Sequence, residues 1–232
     1  MSTVAVNRIN TGKLLAKLLL TFPAAFLFLG LVLFLPAGTI RFINGWIYIA
    51  ALMVPMSAFM IYLIIKDPEL LEKRINLKER RDAQKKYVML SMLFFVAAFI
   101  IPGLDFRYGW SDVPGWLVIV SLFFMIAGYA GFIVVMLQNR YASRVIEIQE
   151  NQKVIDTGLY SVVRHPMYLS AIILYLASAL VLGSFYALIP MAFLPFLLAF
   201  RILNEEELLK NELPGYKEYM EKVKFRMIPF VW

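Results

Sequence analysis

The chain has 232 residues, 61% of them hydrophobic, and a formal charge of +7. That apolar share exceeds the roughly 45–50% of a soluble domain. It lies in long runs, which places the chain among membrane proteins. With no cysteine and one histidine, disulfides, cysteine-held zinc and a thiol nucleophile are excluded. A histidine-based structural metal site lacks ligands. The basic residues fall between apolar runs, so membrane topology rather than nucleic acid accounts for the charge.

In chain order, residues 14–36 form the first run long enough to span. It is longer than a signal-peptide core and has no small-residue cleavage site. A turn at 37–44 leads to a second span near 45–65, with Trp46 and Tyr48 where interfacial aromatics belong. Residues 66–86, KDPELLEKRINLKERRDAQKK, are densely charged. A shorter third span over 87–104, a polar loop at 105–115 and a fourth span over 116–137 follow. Residues 138–164 are polar and do not span. Two short arms, 167–182 and 185–200, flank Gly183-Ser184, and a polar tail with an amphipathic beginning closes the chain over 201–232. The expected fold is therefore all-α, a polytopic helical bundle of about six membrane helices. A two-span region with its basic loop, residues 1–86, precedes a core over 87–232.

Lysine and arginine set the expected orientation. Arg8, Lys13 and Lys17, the 66–86 loop, the 138–166 segment and the tail together hold 21 of the 23 basic residues. Arg41 and Arg107 are the other two. Six crossings put all 21 on one side, so both termini and the polar clusters are expected to face the cytoplasm. The 66–86 loop enforces that topology or also meets anionic headgroups, at about 1 kcal/mol per nearby basic residue. Its Asp and Glu residues weaken the second reading.

Each of the last two arms is shorter than the roughly 20 residues of an upright span. A tight hairpin ending near the far interface is expected, with Pro190 and Pro195 kinking its second arm. The hairpin would bring two polar clusters together. The first is Arg164-His165-Pro166-Met167-Tyr168. Pro166 disfavours helical geometry at His165 and suits the first helical position. Arg164 and His165 then sit at a helix N-terminus, where free N–H groups receive carboxylates and phosphates. The same residues also read as an interfacial anchor of snorkelling Arg and Tyr. Gly158 upstream permits a tight turn. In the second cluster, Arg201 and Glu205 are four apart and share a helix face at the bilayer edge. Glu207 and Glu212 read as a solvated face.

The segments VIDTGLYSVVRHPMY, RILNEEELL and LPGYKEYMEKVKFRMIP together resemble the isoprenylcysteine carboxyl methyltransferase family. Its wider relatives include phospholipid N-methyltransferases and, more distantly, the C-terminal part of membrane sterol reductases. The residues that carry the likeness are Gly158, Tyr160, Arg164, His165, Pro166, Tyr168, Glu205, Glu206, Tyr216, Tyr219 and Pro229, with Asn139 upstream. It covers roughly residues 110–230. Ser170 stands where the family box has glycine. The resemblance implies S-adenosyl-L-methionine held by the cytosolic segment and capped by the tail. It implies cofactor contacts at Gln152, Lys153, Val154 and Ile155, then Tyr160, then His165, Pro166, Met167 and Tyr168, and finally Glu205. It assigns Arg201 to the substrate, so Arg201 and Glu205 are the candidate catalytic residues. A further family glutamine falls at Val145, so that contact is expected to be absent or rearranged.

The chemistry implied suits these residue types. A sulfonium carries an activated methyl group, so no metal is needed. An acceptor carboxylate with an unperturbed pKa of about 3.5 is already ionised at neutral pH and needs no general base. Alignment does the work, with Arg201 able to hold the carboxylate bidentately. The expected partners are membrane lipids and a prenylated or other lipidic substrate arriving from the bilayer. The membrane is the cytoplasmic one in a prokaryote and the endoplasmic reticulum in a eukaryote. The alternatives are a lipid-amine N-methyltransferase of the same fold, a membrane reductase, which lacks the expected GxGxxG fingerprint, and a transporter, for which no internal repeat is seen.

Overall fold

The computed structural model describes residues 11–76, 82–141, 148–149 and 151–232. Its elements are α1 (Thr11–Ala37), α2 (Ile43–Lys66), α3 (Pro68–Asn76), α4 (Asp82–Tyr108), α5 (Gly115–Gln138), a 3-10 turn (Gly158–Ser161), α6 (Pro166–Val181), α7 (Leu188–Ala192), α8 (Leu194–Glu212) and α9 (Tyr216–Lys222). Among the described residues there is no strand.

Among the described residues, four stretches, Leu14–Ala37, Ile43–Lys66, Gly115–Gln138 and Leu188–Glu212, are long and apolar enough to cross a membrane. At 1.5 Å per residue a 24-residue helix reaches about 36 Å, more than the roughly 30 Å of a hydrocarbon core. Their outward residues, such as Leu19, Leu27, Leu35, Ile119 and Phe123, are exposed, as lipid-facing side chains must be. The protein is an integral membrane protein.

Two ends of the bundle can be told apart by contacts. At one, Gly38 after α1 lies beside Arg107 of α4, and Gly183 lies beside Asn44 at the start of α2. At the other, Arg140 after α5 bonds Asp67, whose other oxygen accepts from the Leu70 N–H and caps α3. The short arm α6, 16 residues long, reaches about 24 Å, less than the spanning helices. Its hairpin tip is pinned by a residue that the sequence places in a polar loop. Asp105 continues α4 and is 1% exposed. It accepts hydrogen bonds from the Ser111 N–H, the Ser111 hydroxyl and the Ser184 hydroxyl. A buried carboxylate needs such partners, and here they lock the tip to the end of α4.

The second arm is broken as well as kinked. Pro195 cannot donate to the Met191 carbonyl four residues back. The chain tightens there, with Phe193 N–H donating to the Pro190 carbonyl (3.2 Å), and α7 ends before α8 begins. From there α8 runs without interruption past the bilayer edge to Glu212, so Arg201 and the acidic run share one rigid helix.

Small residues let α5 and α6 approach closely. A Cβ on Gly128 would lie 2.9 Å from the Ser170 carbonyl oxygen and 2.8 Å from the Leu174 nitrogen. A Cβ on Gly131 would lie 2.7 Å from Ser170 Oγ. Ser170 is buried, and its hydroxyl donates to the Pro166 carbonyl at 3.0 Å. The glycine missing from α6 is thus matched by two glycines on α5, and the seam stays tight.

Candidate functional site

Local chemistry places the first cluster. Gly158 has φ +60°, in the left-handed region that favours glycine, and a Cβ there would strike the Gln138 side chain at 2.4 Å. Gln138 accepts from the Leu159 N–H (3.2 Å) and holds the 3-10 turn against the end of α5. Pro166 opens α6, leaving His165 outside the helix at φ −127° and ψ 60°.

The tail then returns. Gly215, with φ +83°, turns the chain from α8 into α9. After α9 the backbone passes beside Arg164 and His165. The Arg164 N–H donates to the Phe225 carbonyl (2.9 Å) and the His165 N–H to the Arg226 carbonyl (2.7 Å). The Arg164 guanidinium binds the Val223 and Lys224 carbonyls at 2.6 and 2.9 Å. Residues 223–227 are therefore a strap, and Arg164 fastens it.

Glu206 lies at the centre of this clasp, 4% exposed. Its Oε1 accepts from Arg164 Nε (2.7 Å) and lies 3.3 Å from His165 Nε2, while Oε2 accepts from Arg226 Nε (2.8 Å). Two guanidinium groups and an imidazole thus surround one buried carboxylate, the compensation that burial of a charge demands. The sequence flags Glu206 only as half of an acidic pair. Its role appears once the strap brings Arg226 to it.

Glu205, one residue earlier, faces elsewhere. The Tyr168 hydroxyl donates to Glu205 Oε2 at 2.6 Å and accepts from Arg201 Nε at 3.0 Å. Tyr168 of α6 thus bridges Arg201 and Glu205 of α8. Glu207 and Glu212 are exposed.

These elements enclose a cavity of about 740 Å³, counting its open mouth. Of the residues singled out from sequence, Gln152, Lys153, Val154 and Ile155 line one wall, Tyr160 another, and His165, Met167, Tyr168 and Glu205 a third. Pro166 is outside the lining, and Arg201 sits behind Tyr168. The contact expected to be altered at Val145 lies outside the described residues. Sequence reasoning left several lining residues without a role: Asn139 and Tyr141 from the end of α5, Leu208, Leu209 and Leu213 from α8, and Tyr216 and Tyr219 from α9. For the tyrosines the available signal is the Gly-Tyr-x-x-Tyr spacing after Pro214. The leucines give none beyond helical periodicity.

Two tyrosines show how the cap works. The Tyr219 hydroxyl donates to the Tyr160 carbonyl at 2.7 Å and closes α9 onto the 3-10 turn. The Tyr216 hydroxyl is buried and has no hydrogen-bond partner among the described residues. Burial, then the nearby Glu206 and Glu205 charges, push its ionisation above the ordinary tyrosine range. It stays a neutral hydroxyl at physiological pH. A buried donor on the wall of a cavity can be satisfied by a water or by an atom of a bound ligand.

A second, apolar pocket lies among Leu29, Tyr48, Leu52, Phe95, Phe99, Tyr129, Phe132, Ala171, Leu174 and Tyr175. Met167 and Tyr168 line the polar pocket, and Ala171, Leu174 and Tyr175 line the apolar one. Steps of three, four and seven place them on one side of α6. The apolar cavity therefore begins about one helical turn deeper than the polar one.

These features define a class: a polytopic helical membrane protein with a polar, tyrosine-lined pocket at one end of its bundle and an apolar cavity beneath it. Residues 118–211 match the family described as isoprenylcysteine carboxyl methyltransferase. Through this region, about two fifths of the chain, it is similar to that family. Its fold resembles the solved structure of the eukaryotic intramembrane Ras methyltransferase of that name, determined without a monobody. The TM-score is 0.56 at 19% identity, over 88% of this chain and 74% of that one. No curated protein matches the chain.

Proposed function

We propose that this protein transfers a methyl group from S-adenosylmethionine to the carboxylate of an isoprenylcysteine-like or similar lipidic acceptor, at a site facing the cytoplasm. The observation that carries the reading is the continuity along α6 from a polar pocket to an apolar cavity. A water-soluble donor and a lipid acceptor need that pairing.

The residues of the pocket fit the donor. Leu208, Leu213, Val154 and Ile155 offer apolar surface for a base, Glu205 offers a carboxylate, and the unpartnered Tyr216 hydroxyl offers a donor. When bound, S-adenosylmethionine supplies the activated methyl group. Gln152 to Ile155, Tyr160, His165, Met167, Tyr168 and Glu205 are the proposed contacts, with Pro166 fixing the turn that presents them. Arg201 is proposed to orient the acceptor carboxylate, and Tyr168 fixes Arg201 relative to Glu205. The chain need not remove a proton, since the acceptor is already an anion. Its contribution is alignment in a space that α9 shields from water.

Arg201→Ala is expected to abolish turnover while leaving S-adenosylhomocysteine affinity close to wild type. Arg201→Lys keeps the charge but loses the planar fork and recovers little activity. Loss of binding with normal turnover at saturation would move Arg201 to the donor side. Tyr216→Phe removes the orphan hydroxyl and nothing else, so S-adenosylhomocysteine should bind about three- to tenfold more weakly, the worth of one hydrogen bond. Unchanged calorimetric affinity would show that no ligand atom reaches it.

Glu205 and the tyrosine-rich lining also suit a cationic headgroup, which keeps a lipid amine as second acceptor class. An amine must shed its proton before attack, so its rate climbs with alkaline pH. A carboxylate with an unperturbed pKa of about 3.5 gives a flat profile above neutrality. The direct test is calorimetric binding of S-adenosylhomocysteine to detergent-purified protein, followed by labelled methyl transfer to prenylcysteine and lipid-amine acceptors. Binding with transfer to the amines alone would replace the acceptor. Absence of binding would overturn the donor assignment.

A further inference from the structure

The last eleven residues change character abruptly. Lys222, Lys224 and Arg226 alternate through the end of α9 and the strap, and then Ile228, Pro229, Phe230, Val231 and Trp232 follow without a charged side chain. Met227 is buried and packs with Tyr168, Ile172, Leu198 and Ile202, and Trp232 packs against the same cluster. Ile172 and Leu198 belong to the membrane stretches of α6 and α8. Met227 and Trp232 are therefore seated against those helices.

The depth can be read from α8. Its exposed residues run Phe196, Phe200 and Leu203, then Glu207 and Lys210. The apolar-to-polar change places the bilayer edge between Leu203 and Glu207. Met227 and Trp232 pack in a cluster whose Leu198 and Ile202 lie on the lipid side of that edge. The turn they bracket carries Ile228, Val231 and Phe230 outward, with Phe230 89% exposed.

That outward presentation is enforced. Phe230 has φ +64°, in the left-handed region that disfavours a bulky side chain. The turn is held there by its own backbone: the Trp232 carbonyl accepts from the Met227 and Ile228 N–H groups at 3.0 and 3.2 Å, and the Trp232 N–H returns to the Ile228 carbonyl at 3.1 Å. The Arg226 guanidinium lies 5.2 Å from the centre of the Trp232 ring, a basic group stacked on an aromatic one at the level where headgroups meet acyl chains.

We propose that residues 228–232 are a membrane-inserted wedge, in which Phe230 and Val231 enter the acyl region while Lys224 and Arg226 sit among the headgroups. The occupant of this surface is the bilayer itself, continuous with the lipid around Phe196, Phe200 and Leu203. The wedge follows directly on the strap that Arg164 and Glu206 fasten beside the pocket, so the pocket wall is held by protein on one side and by lipid on the other.

The absence of cysteine makes the test clean. Phe230→Cys, Val231→Cys and, on the exposed face of α9, Lys217→Cys are each labelled with an environment-sensitive fluorophore. The proteins are reconstituted in phosphatidylcholine vesicles containing a lipid with a quencher high on its acyl chain. The labels at 230 and 231 should be blue-shifted and quenched about twofold or more strongly than the label at 217, as for a segment lying a few ångströms below the headgroups. Quenching at 230 and 231 no stronger than at 217 overturns the wedge. Two adjacent positions are used so that a local effect of replacing Phe230 shows as disagreement with 231, and a quenched 231 alone still supports insertion.

Discussion

Glu206→Ala should lower stability by about 3–5 kcal/mol, the cost of removing one member of a buried, hydrogen-bonded ion group. Arg164 would keep its two strap carbonyls but lose the charge that justifies its burial, and Arg226 would lose its carboxylate partner. A thermal midpoint roughly 10 °C below wild type, followed by tryptophan fluorescence in detergent, is the expected reading. S-adenosylhomocysteine affinity should fall with it, because the strap supports the wall carrying His165. Glu206→Gln keeps the shape and one acceptor oxygen and should fall between the two. Arg226 is more exposed than Arg164, so Arg226→Met should cost less than Arg164→Met. A Glu206→Ala protein within about 1 kcal/mol of wild type would mean that the cluster is no more than a surface ion pair.

The second large effect is steric. A methyl group at Gly128 meets the α6 backbone at Ser170 and Leu174, and backbone cannot rotate away. Gly128→Ala should cost about 3 kcal/mol, the upper part of the range for overpacking, and should loosen the polar pocket, since α6 carries Met167 and Tyr168. Gly131 offers a contrast. There the added methyl meets the Ser170 hydroxyl, which a second substitution can remove. Gly131→Ala should be the milder change, and Ser170→Gly should restore most of what it loses. Midpoints for the four-protein cycle of Gly131→Ala and Ser170→Gly measure the coupling directly. Additive losses would show that the two side chains do not meet, and a harmless Gly128→Ala would refute the close seam.

Much of the bundle can be read from hydropathy because a bilayer forces it. The expected boundaries 14–36, 45–65 and 116–137 each fall within helices α1, α2 and α5. Pro166 as the first residue of α6 and a left-handed Gly158 are equally local matters, fixed by ring geometry and the absent Cβ. The seat of Asp105 is different. In sequence it opens a polar loop. In the fold it is buried because α4 continues and Ser184 arrives from 79 residues away, which no local pattern encodes. The break at Phe193 was half visible: Pro195 announces a defect, and only the packed chain decides between a kink and a new helix.

The sequence by itself determined that this is a helical membrane protein, that its polar clusters flank a hairpin, and that Arg201 and Glu205 share a helix face. These follow from composition, charge placement and period, each a property of neighbours along the chain. The tertiary structure decided that Tyr168 bridges Arg201 to Glu205, that adjacent Glu206 instead anchors Arg164 and Arg226, and that Tyr216 is left with an unsatisfied hydroxyl. Two adjacent carboxylates on one helix point about 100° apart, and which partner each meets depends on the elements that pack against either side.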